Sequence, residues 1–148
     1  MWDFVLECVV PGPPVPKGRP RAVRAGRMIR MYTPDKVKKY ERHVAKVLWV
    51  QLRGAQSPVI PEAPVRLVVD LYHPRPKRLM RRKDPAGRLH MHQKPDADNC
   101  LKSLMDGVGL APLWTDDAQV CSLSVNQWRC EKEGEPRVEM RVYQWKQM

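Results

Sequence analysis

The 148-residue sequence contains no apolar run of the roughly 20 residues that a membrane-spanning helix requires. Its N-terminus, MWDFVLECVV, has an acidic residue where a signal peptide has basic ones, and no small-residue cleavage site follows. Internal repeats and linker-like segments are also absent, and a chain of this length can bury a core without disulfides or metals. We therefore expect one domain, residues 1–148, located in the cytoplasm without a membrane partner.

The four cysteines lack the C-x-x-C spacing of zinc sites and redox motifs. They are Cys8, Cys100, Cys121 and Cys130, and three of them lie in apolar contexts typical of strands or helices. This distribution predicts reduced, buried thiols, and neither a zinc site nor a disulfide framework.

Acidic residues are scarce in the first part of the chain. Residues 1–95 contain 21 Lys and Arg against 7 Asp and Glu (net +14), whereas residues 96–148 contain 6 against 9 (net −3). Residues 12–30 carry six basic residues and no acid, and residues 74–94 carry eight and one acid. Such runs favour a polyanion, most often nucleic acid, through phosphate neutralisation and counterion release. A solvated basic face is the alternative, but a net charge of +11 exceeds what solubility requires.

Apolar periodicity predicts an α+β domain in which two helices pack on a mixed or antiparallel sheet. Cys121, Leu123 and Val125 are predicted to share one side of their strand, and the second helix is given an apolar stripe of Leu101, Leu104, Met105 and Val108. The predicted strands are 2–10, 65–73, 118–128 and 137–145, the helices are 35–53 and about 99–107, and the basic segments 11–33 and 74–95 are loops, the first with a possible short hairpin near RMIRMYT.

The stretch KPDADNCLK places Asp96 and Asp98 at the start of the second helix. Acids in this position commonly cap the helix and interact with its dipole. However, Asp98 and Lys102 are four residues apart, so they project from one face, and that face is not the apolar stripe. A second acidic pair, Asp116-Asp117, opens the next strand, and a tight return after a short helix would bring the two pairs close together.

Grouped carboxylates beside eight basic residues suit a hard cation such as Mg²⁺ or Mn²⁺. A cation held in this way assists phosphodiester hydrolysis, and a nearby lysine stabilises the charge that develops on the phosphate. His90 and His92 form an H-x-H pair. Two interpretations are open for them: a phosphate contact or plain loop role, or metal binding. Trp114 is predicted to pack beside the site.

KPDADNCLKSLMDGV followed by LWTDDAQV resembles the signature of RusA-type Holliday junction resolvases, which pairs D-x-D-N-x-x-K with W-x-D-D-x-Q. The N-terminal PGPPVPKGRPRAVRAG is similar to the basic loop of phage-borne members, whereas DGVGLAPLW departs from the usual alanine-rich helix end. The matching positions are Asp96, Asp98, Asn99, Lys102, Asp106, Trp114, Asp116, Asp117 and Gln119.

The resemblance implies a RusA-like fold and a homodimeric, Mg²⁺-dependent endodeoxyribonuclease that nicks four-way DNA junctions symmetrically in recombination and repair. It further implies that Asp96, Asp98 and Asp117 bind the metal and that Lys102 is catalytic. The remaining matched polar residues, Asn99, Asp106, Asp116 and Gln119, would support the site.

Both basic segments are predicted to contact phosphates and not base edges. Two alternatives remain open: a structure-selective nuclease that acts on forks or flaps, and a non-catalytic DNA-binding protein whose acids only cap a helix. The predicted phosphate contacts are Lys17, Arg19 and Arg21 in the first segment, and Arg78, Arg81, Arg82 and Lys83 in the second.

Overall fold

The computed structural model describes residues 1–18 and 21–147. Short 3₁₀ turns at Lys77–Leu79 and Asp117–Gln119 accompany the regular elements. These elements are β1 (Trp2–Pro11), β2 (Arg21–Ala25), β3 (Met28–Tyr32), α1 (Asp35–Gln51), β4 (Val65–His73), β5 (Leu89–His90), α2 (Ala97–Gly109), β6 (Val120–Arg129) and β7 (Arg137–Trp145).

One five-stranded sheet, in the order β1-β7-β4-β6-β5, forms the centre of the molecule. β4 and β6 run parallel, and every other neighbouring pair in this sheet is antiparallel. β2 and β3 form a separate two-stranded antiparallel ribbon. The predicted single α+β domain with a mixed sheet and two helices is confirmed, and the possible hairpin near RMIRMYT is present. No helix within the described residues is long and apolar enough to span a membrane.

Alternating apolar residues place one face of the sheet against the helices. Val65, Leu67, Val69 and Leu71 of β4 are fully buried, because residues two apart on a strand point to the same side. The predicted α1 face also reaches this core, which contains Val37, Tyr40, Val44 and Leu48.

Helix α2 buries a face that is rotated from the predicted stripe. Leu104 and Val108 are fully buried as predicted, but Leu101 and Met105 are only half-buried. Gly107 is buried instead, because α2 packs closely against α1 at this point, and the buried Ser103 donates to the carbonyl oxygen of Val15. A Cβ atom on Gly107 would lie 2.7 Å from Val44 Cβ and 2.9 Å from the Glu41 carbonyl oxygen. A glycine in mid-helix gives no apolar periodicity, so the stripe assigned from the sequence was displaced toward the larger side chains.

Gly107→Ala should destabilise the protein, although alanine is the better helix former. The added methyl group has no space between the helices, and overpacking of this kind costs about 1–3 kcal/mol of unfolding free energy. Gly109→Ala is the matched control, because nothing lies within 4 Å of a Cβ there. Urea denaturation of both variants measures the difference. Equal stability of the two would contradict the close helix contact.

Strand β6 is less covered than its alternation predicts. Leu123 is 49% exposed and Cys121 is exposed, so the prediction that all four cysteines are buried is wrong for Cys121. Among the described residues, the last strand of the sheet, β5, pairs only with Trp128 and Arg129, which leaves most of β6 as an open edge. Periodicity reports which side chains share a face, but it does not report whether another element covers that face.

The basic segment 74–95 was predicted to be a loop, and the structure corrects this in part. It contains a 3₁₀ turn and the short strand β5. Arg75 holds the segment together by donating to the carbonyl oxygens of Leu79, Pro85 and Gly87 at 2.8, 2.6 and 2.9 Å. Bonds from one side chain to distant carbonyls have no sequence period, which is why the pattern did not reveal this order.

Candidate active site

Asp96 and Asp98 lie at the start of α2 with their carboxylates exposed. Asp96 occupies the N-cap position, yet its side chain accepts no capping hydrogen bond. Asp98 lies in the first helical turn. The capping interpretation of Asp96 is therefore not observed, and its oxygens point to solvent without a partner in the described chain.

Two polar residues that the sequence analysis missed fix the start of α2. Gln127 of β6 donates through Nε2 to the carbonyl oxygen of Pro95 at 3.1 Å. Its Oε1 lies 2.7 Å from Nε2 of His73, which therefore donates. His73 is buried, and burial lowers its pKa, so the ring is neutral at neutral pH. His73 continues the inward alternation of β4, and that position was the available signal for a buried polar residue.

The electrostatic field at the start of α2 is negative. Burial, together with the charges of Asp96 and Asp98, raises the pKa of the Cys100 thiol to about 11. The thiol therefore stays protonated at neutral pH and is not a metal-binding thiolate. The same field that disfavours a thiolate attracts a cation to the two carboxylates.

Lys102 lies one turn after Asp98 and is exposed. Within the part of the chain that the structure describes, no carboxylate lies within 4.0 Å of its ammonium group. The charge of Lys102 is thus not used to hold the helix together.

The second acidic pair lies in the turn before β6, where its two members have different surroundings. Trp114, which is buried, donates through Nε1 to Asp117 Oδ1 at 2.9 Å, and its packing beside a catalytic site stays a prediction. Asp116 caps the 3₁₀ turn by accepting from the Ala118 amide at 2.8 Å. Gln119 accepts from the Asp116 amide and donates to the carbonyl oxygens of Ile60 and Ala63. Asp116 and Gln119 thus shape the turn that presents Asp117.

The structure does not bring Asp117 close to Asp96 and Asp98 within one chain. The start of α2 is bonded to Gln127, whereas Asp117 precedes Val120 at the opposite end of β6. The seven residue steps between Val120 and Gln127 span roughly 23 Å of strand. The chain segment between α2 and β6 therefore leads away from the start of α2. The expected proximity of the two acidic pairs is not observed.

The donor set at the start of α2 fits a hard divalent cation. Carboxylate oxygens without protein partners are the ligands that Mg²⁺ and Mn²⁺ prefer. In residues 1–18 and 21–147 no three His, Cys, Asp or Glu side chains are grouped as they would be around a metal ion. One described chain thus supplies two suitable carboxylates at this end, and a third protein ligand for a cation would have to come from elsewhere.

Lys17 is half-buried, and its side chain is already bonded within the protein. Its amide donates to the Asn99 carbonyl oxygen at 2.9 Å, and its ammonium group pairs with Asp106 of α2 and, at 3.1 Å, with Glu41 of α1. The hydrogen bond to Asp106 is the largest cause that raises the pKa of Lys17 above its ordinary value, and Glu41 adds to it. The ammonium is thus already paired, which argues against the predicted phosphate contact and gives Asp106 a structural partner.

Lys17→Met should destabilise the fold by about 1–2 kcal/mol, because charged hydrogen bonds of a partly buried pair are lost. A raised pKa means that this contribution is complete below pH 10.5 and is lost as pH rises through the folded-state value. The stability difference between wild type and variant should therefore narrow only in strong alkali. Thermal unfolding at pH 7 and at pH values from 10 to 12 measures it, with Lys46→Met, the substitution of an exposed lysine on α1, as the control. A Lys17→Met variant that is as stable at pH 7 as Lys46→Met would contradict the ion-pair assignment.

The other predicted phosphate contacts have varied surroundings. Arg19 lies outside the described residues, and of Arg21 only the backbone, at the start of β2, is described. Arg81 pairs with Asp84 at 3.3 Å. The remaining three, Arg78, Arg82 and Lys83, are exposed. The second basic segment thus keeps its exposed cations on an ordered backbone.

His90 and His92 lie at the edge of this segment. The His90 ring is 4.3 Å from that of Trp128, and the Arg88 guanidinium lies 3.7 Å from the Trp128 centroid. His92 lines a cleft of about 400 Å³ together with Arg78, Gln93 and Arg129. Basic and amide groups surround this histidine, and a phosphate suits such a lining better than a metal does.

Comparison with known proteins identifies the family of the chain. The family profile described as "Endodeoxyribonuclease RusA" matches residues 11–143. The chain belongs to the RusA endodeoxyribonuclease family. It is also 34% identical over 146 residues to "Uncharacterized protein YqaN" of Bacillus subtilis (strain 168), with 93% of this chain and 96% of that protein aligned. The RusA match includes both acidic pairs, Lys102 and the second basic segment.

Proposed function

We propose that this member of the RusA family is a Mg²⁺-dependent endodeoxyribonuclease that resolves four-way (Holliday) DNA junctions by paired, symmetric nicks. It acts as a homodimer in DNA recombination and repair in the cytoplasm. The observation that carries the proposal is the pair of exposed carboxylates, Asp96 and Asp98, at the start of α2. The side chain of Asp96 does not cap the helix, and an unpaired lysine, Lys102, follows one turn after Asp98.

Asp96, Asp98 and Asp117 are the residues that would hold the cation, with Mn²⁺ as a possible substitute. A bound divalent cation supplies activation of the attacking water and neutralisation of charge on the scissile phosphate. Asp96 and Asp98 provide two oxygens on a rigid helix end that the Gln127 bond to Pro95 fixes. Trp114 orients Asp117 through its indole hydrogen bond. Lys102 stabilises the negative charge that develops on the phosphate oxygens.

In a homodimer, acids that are far apart within one chain can lie close together across the two subunits. A two-fold axis that passes midway along α2 and β6 exchanges the two ends of these elements. It thereby brings the partner subunit's Asp117 to Asp96 and Asp98 of this chain, and the reverse. Each complete site then contains residues from both chains. A four-way junction has two symmetry-related strands to cut, and a dimer of this kind supplies two equivalent sites.

Apolar side chains support an interface between these two ends. Leu123, on the open edge of β6, is 49% exposed, and Leu110, just after α2, is 57% exposed. Leu101 and Met105 in the middle of α2 are only half-buried. These residues lie between the two acid-bearing ends, which is the position that the two-fold axis requires.

The test is incubation of the protein with a synthetic four-way junction and Mg²⁺, with linear duplex, fork and flap DNA as controls. Paired nicks at symmetric positions in the junction, with no cleavage of duplex, are expected. Equal cleavage of forks and flaps would indicate a broader structure-selective nuclease. Binding without any cleavage, in Mg²⁺ and in Mn²⁺, would overturn the enzymatic proposal.

A further inference from the structure

The β2–β3 ribbon carries an unusual concentration of exposed apolar side chains. Five of the fifteen large hydrophobic residues that are exposed among the described residues lie in this twelve-residue segment, 21–32. Met28, Ile29 and Met31 are 66%, 71% and 62% exposed, and Val23 and Tyr32 are also exposed. None of them contributes to the core.

The ribbon does not join the main sheet. Its strands pair only with each other, from Arg21 opposite Tyr32 to Ala25 opposite Met28, with a turn at Gly26 that has a φ of +64°. A two-stranded hairpin without a packed face is only marginally stable in water. A contiguous group of exposed apolar side chains commonly marks a surface that binds a partner.

The positive charge of the ribbon favours a negatively charged partner. Residues 21–32 contain four arginines and no acid. Arg24, Arg27 and Arg30 are exposed among the apolar residues, and Arg24 and Arg27 line a hollow of about 380 Å³ together with Ala22, Met28 and Ile29. A second copy of this ribbon would bring like charges together, whereas a nucleic acid offers both phosphates for arginine and base faces for apolar side chains.

The position of the ribbon connects it to the candidate active site. The chain leaves the body after Lys17, whose amide is bonded to Asn99, the residue that follows Asp98. It returns to the body at Asp35, where α1 begins. Five-residue strands give the ribbon a length of roughly 15 Å. The ribbon is therefore attached to the protein beside the carboxylates, and its length is sufficient to reach DNA bound there.

We propose that the β2–β3 ribbon inserts its apolar tip, which consists of Met28 and Ile29 directly after the Gly26–Arg27 turn, at the branch point of the junction. The tip takes the place of base stacking across the branch, as apolar wedges do when they unstack and kink duplex DNA. Arg24, Arg27 and Arg30 bind the flanking phosphates. The apolar tip selects branched over linear DNA, and the arginines add affinity without selectivity. The inference rests on the proposed junction-resolving function.

The test compares two variants of the full-length protein, with wild type as the reference. One is the tip variant Met28→Ser/Ile29→Ser, and the other is the arm variant Arg24→Gln/Arg27→Gln/Arg30→Gln. Binding to a four-way junction and to duplex is titrated at several salt concentrations without divalent cation. A 2-aminopurine base beside the branch reports unstacking.

The tip variant should lose about tenfold or more in junction affinity and most of the 2-aminopurine signal, while duplex affinity and the salt slope stay unchanged. The arm variant should bind both DNAs more weakly, and its slope of log affinity against log salt concentration should flatten by about 2–3. Met28→Leu/Ile29→Leu keeps apolar side chains and should retain junction preference. Val50→Ser, an equally exposed apolar position on α1, is the matched control.

Unchanged junction preference and 2-aminopurine signal in the tip variant would overturn the proposal. So would a tip variant that sediments as a monomer where wild type is a dimer, since the ribbon would then be a protein contact. A wild-type protein that neither prefers nor cuts junctions would overturn the proposed function instead. In that case the 2-aminopurine signal on forked DNA still decides whether the tip unstacks bases.

Discussion

Asp117→Asn is expected to abolish cleavage of a four-way junction while leaving junction binding intact or tighter. The variant loses one negative ligand for the cation and one charge that repels phosphate, but Trp114 still has an oxygen to bond. Single-turnover cleavage in Mg²⁺ and binding without metal measure the two effects. Asp116→Asn is the matched control, because an asparagine oxygen can still accept from the Ala118 amide, and it should cut at a rate near that of wild type. Near wild-type cleavage by Asp117→Asn would show that the metal assignment is wrong.

A mixture of Asp98→Asn and Asp117→Asn chains tests whether each site is shared between subunits. Each variant alone should be inactive. In a mixed dimer, one site receives Asp98 from one chain and Asp117 from the other and is complete, whereas the second site lacks both. A supercoiled plasmid with a cruciform should therefore be converted to nicked circle by the re-mixed protein and to linear DNA by wild type. If both acids of a site came from the same chain, mixing would restore nothing.

Lys102→Ala is expected to lower the single-turnover rate by about 10²–10³-fold, the usual effect of removing one electrostatic contact from a transition state. The side chain is exposed and has no carboxylate partner in the described structure, so the thermal midpoint should not change. The Mg²⁺ concentration for half-maximal rate should change little. Lys102→Arg should recover part of the rate, because it keeps the charge. A folding defect in Lys102→Ala would instead assign this lysine to structure.

The regular elements were largely predictable from sequence because their apolar periods are undisturbed. The strand predicted at 65–73 and the strand predicted at 137–145 have the predicted bounds, and α1 begins where it was predicted to begin. The errors arise where a neighbouring element decides the outcome. Gly107 rotates the buried face of α2 because α1 lies against it, and Leu123 stays exposed because nothing among the described residues covers it.

The positions of the candidate residues on the fold were partly predictable, but their arrangement was not. The spacing of Asp96, Asp98 and Lys102 was sufficient to predict carboxylates at a helix start with a lysine one turn later, and cation binding there stays a prediction. The location of Asp117 depends on the parallel pairing of β4 and β6. This pairing places the turn before β6, which contains Asp117, at the end of the sheet opposite to the start of α2. The internal pairing of Lys17 depends on a contact between residues 89 positions apart, which no local pattern reports.

The length of α2 has a consequence for the product of the reaction. In the proposed dimer each site takes one acid-bearing end from each chain, so the spacing between the two sites equals the spacing between Asp98 and Asp117 within one chain. The 13 residues of α2 span about 20 Å, and the steps from Val120 to Gln127 in β6 span roughly 23 Å, so helix and strand together set that distance. In the proposed dimer, the offset between the cut on one strand and the cut on the other would follow from these two matched lengths.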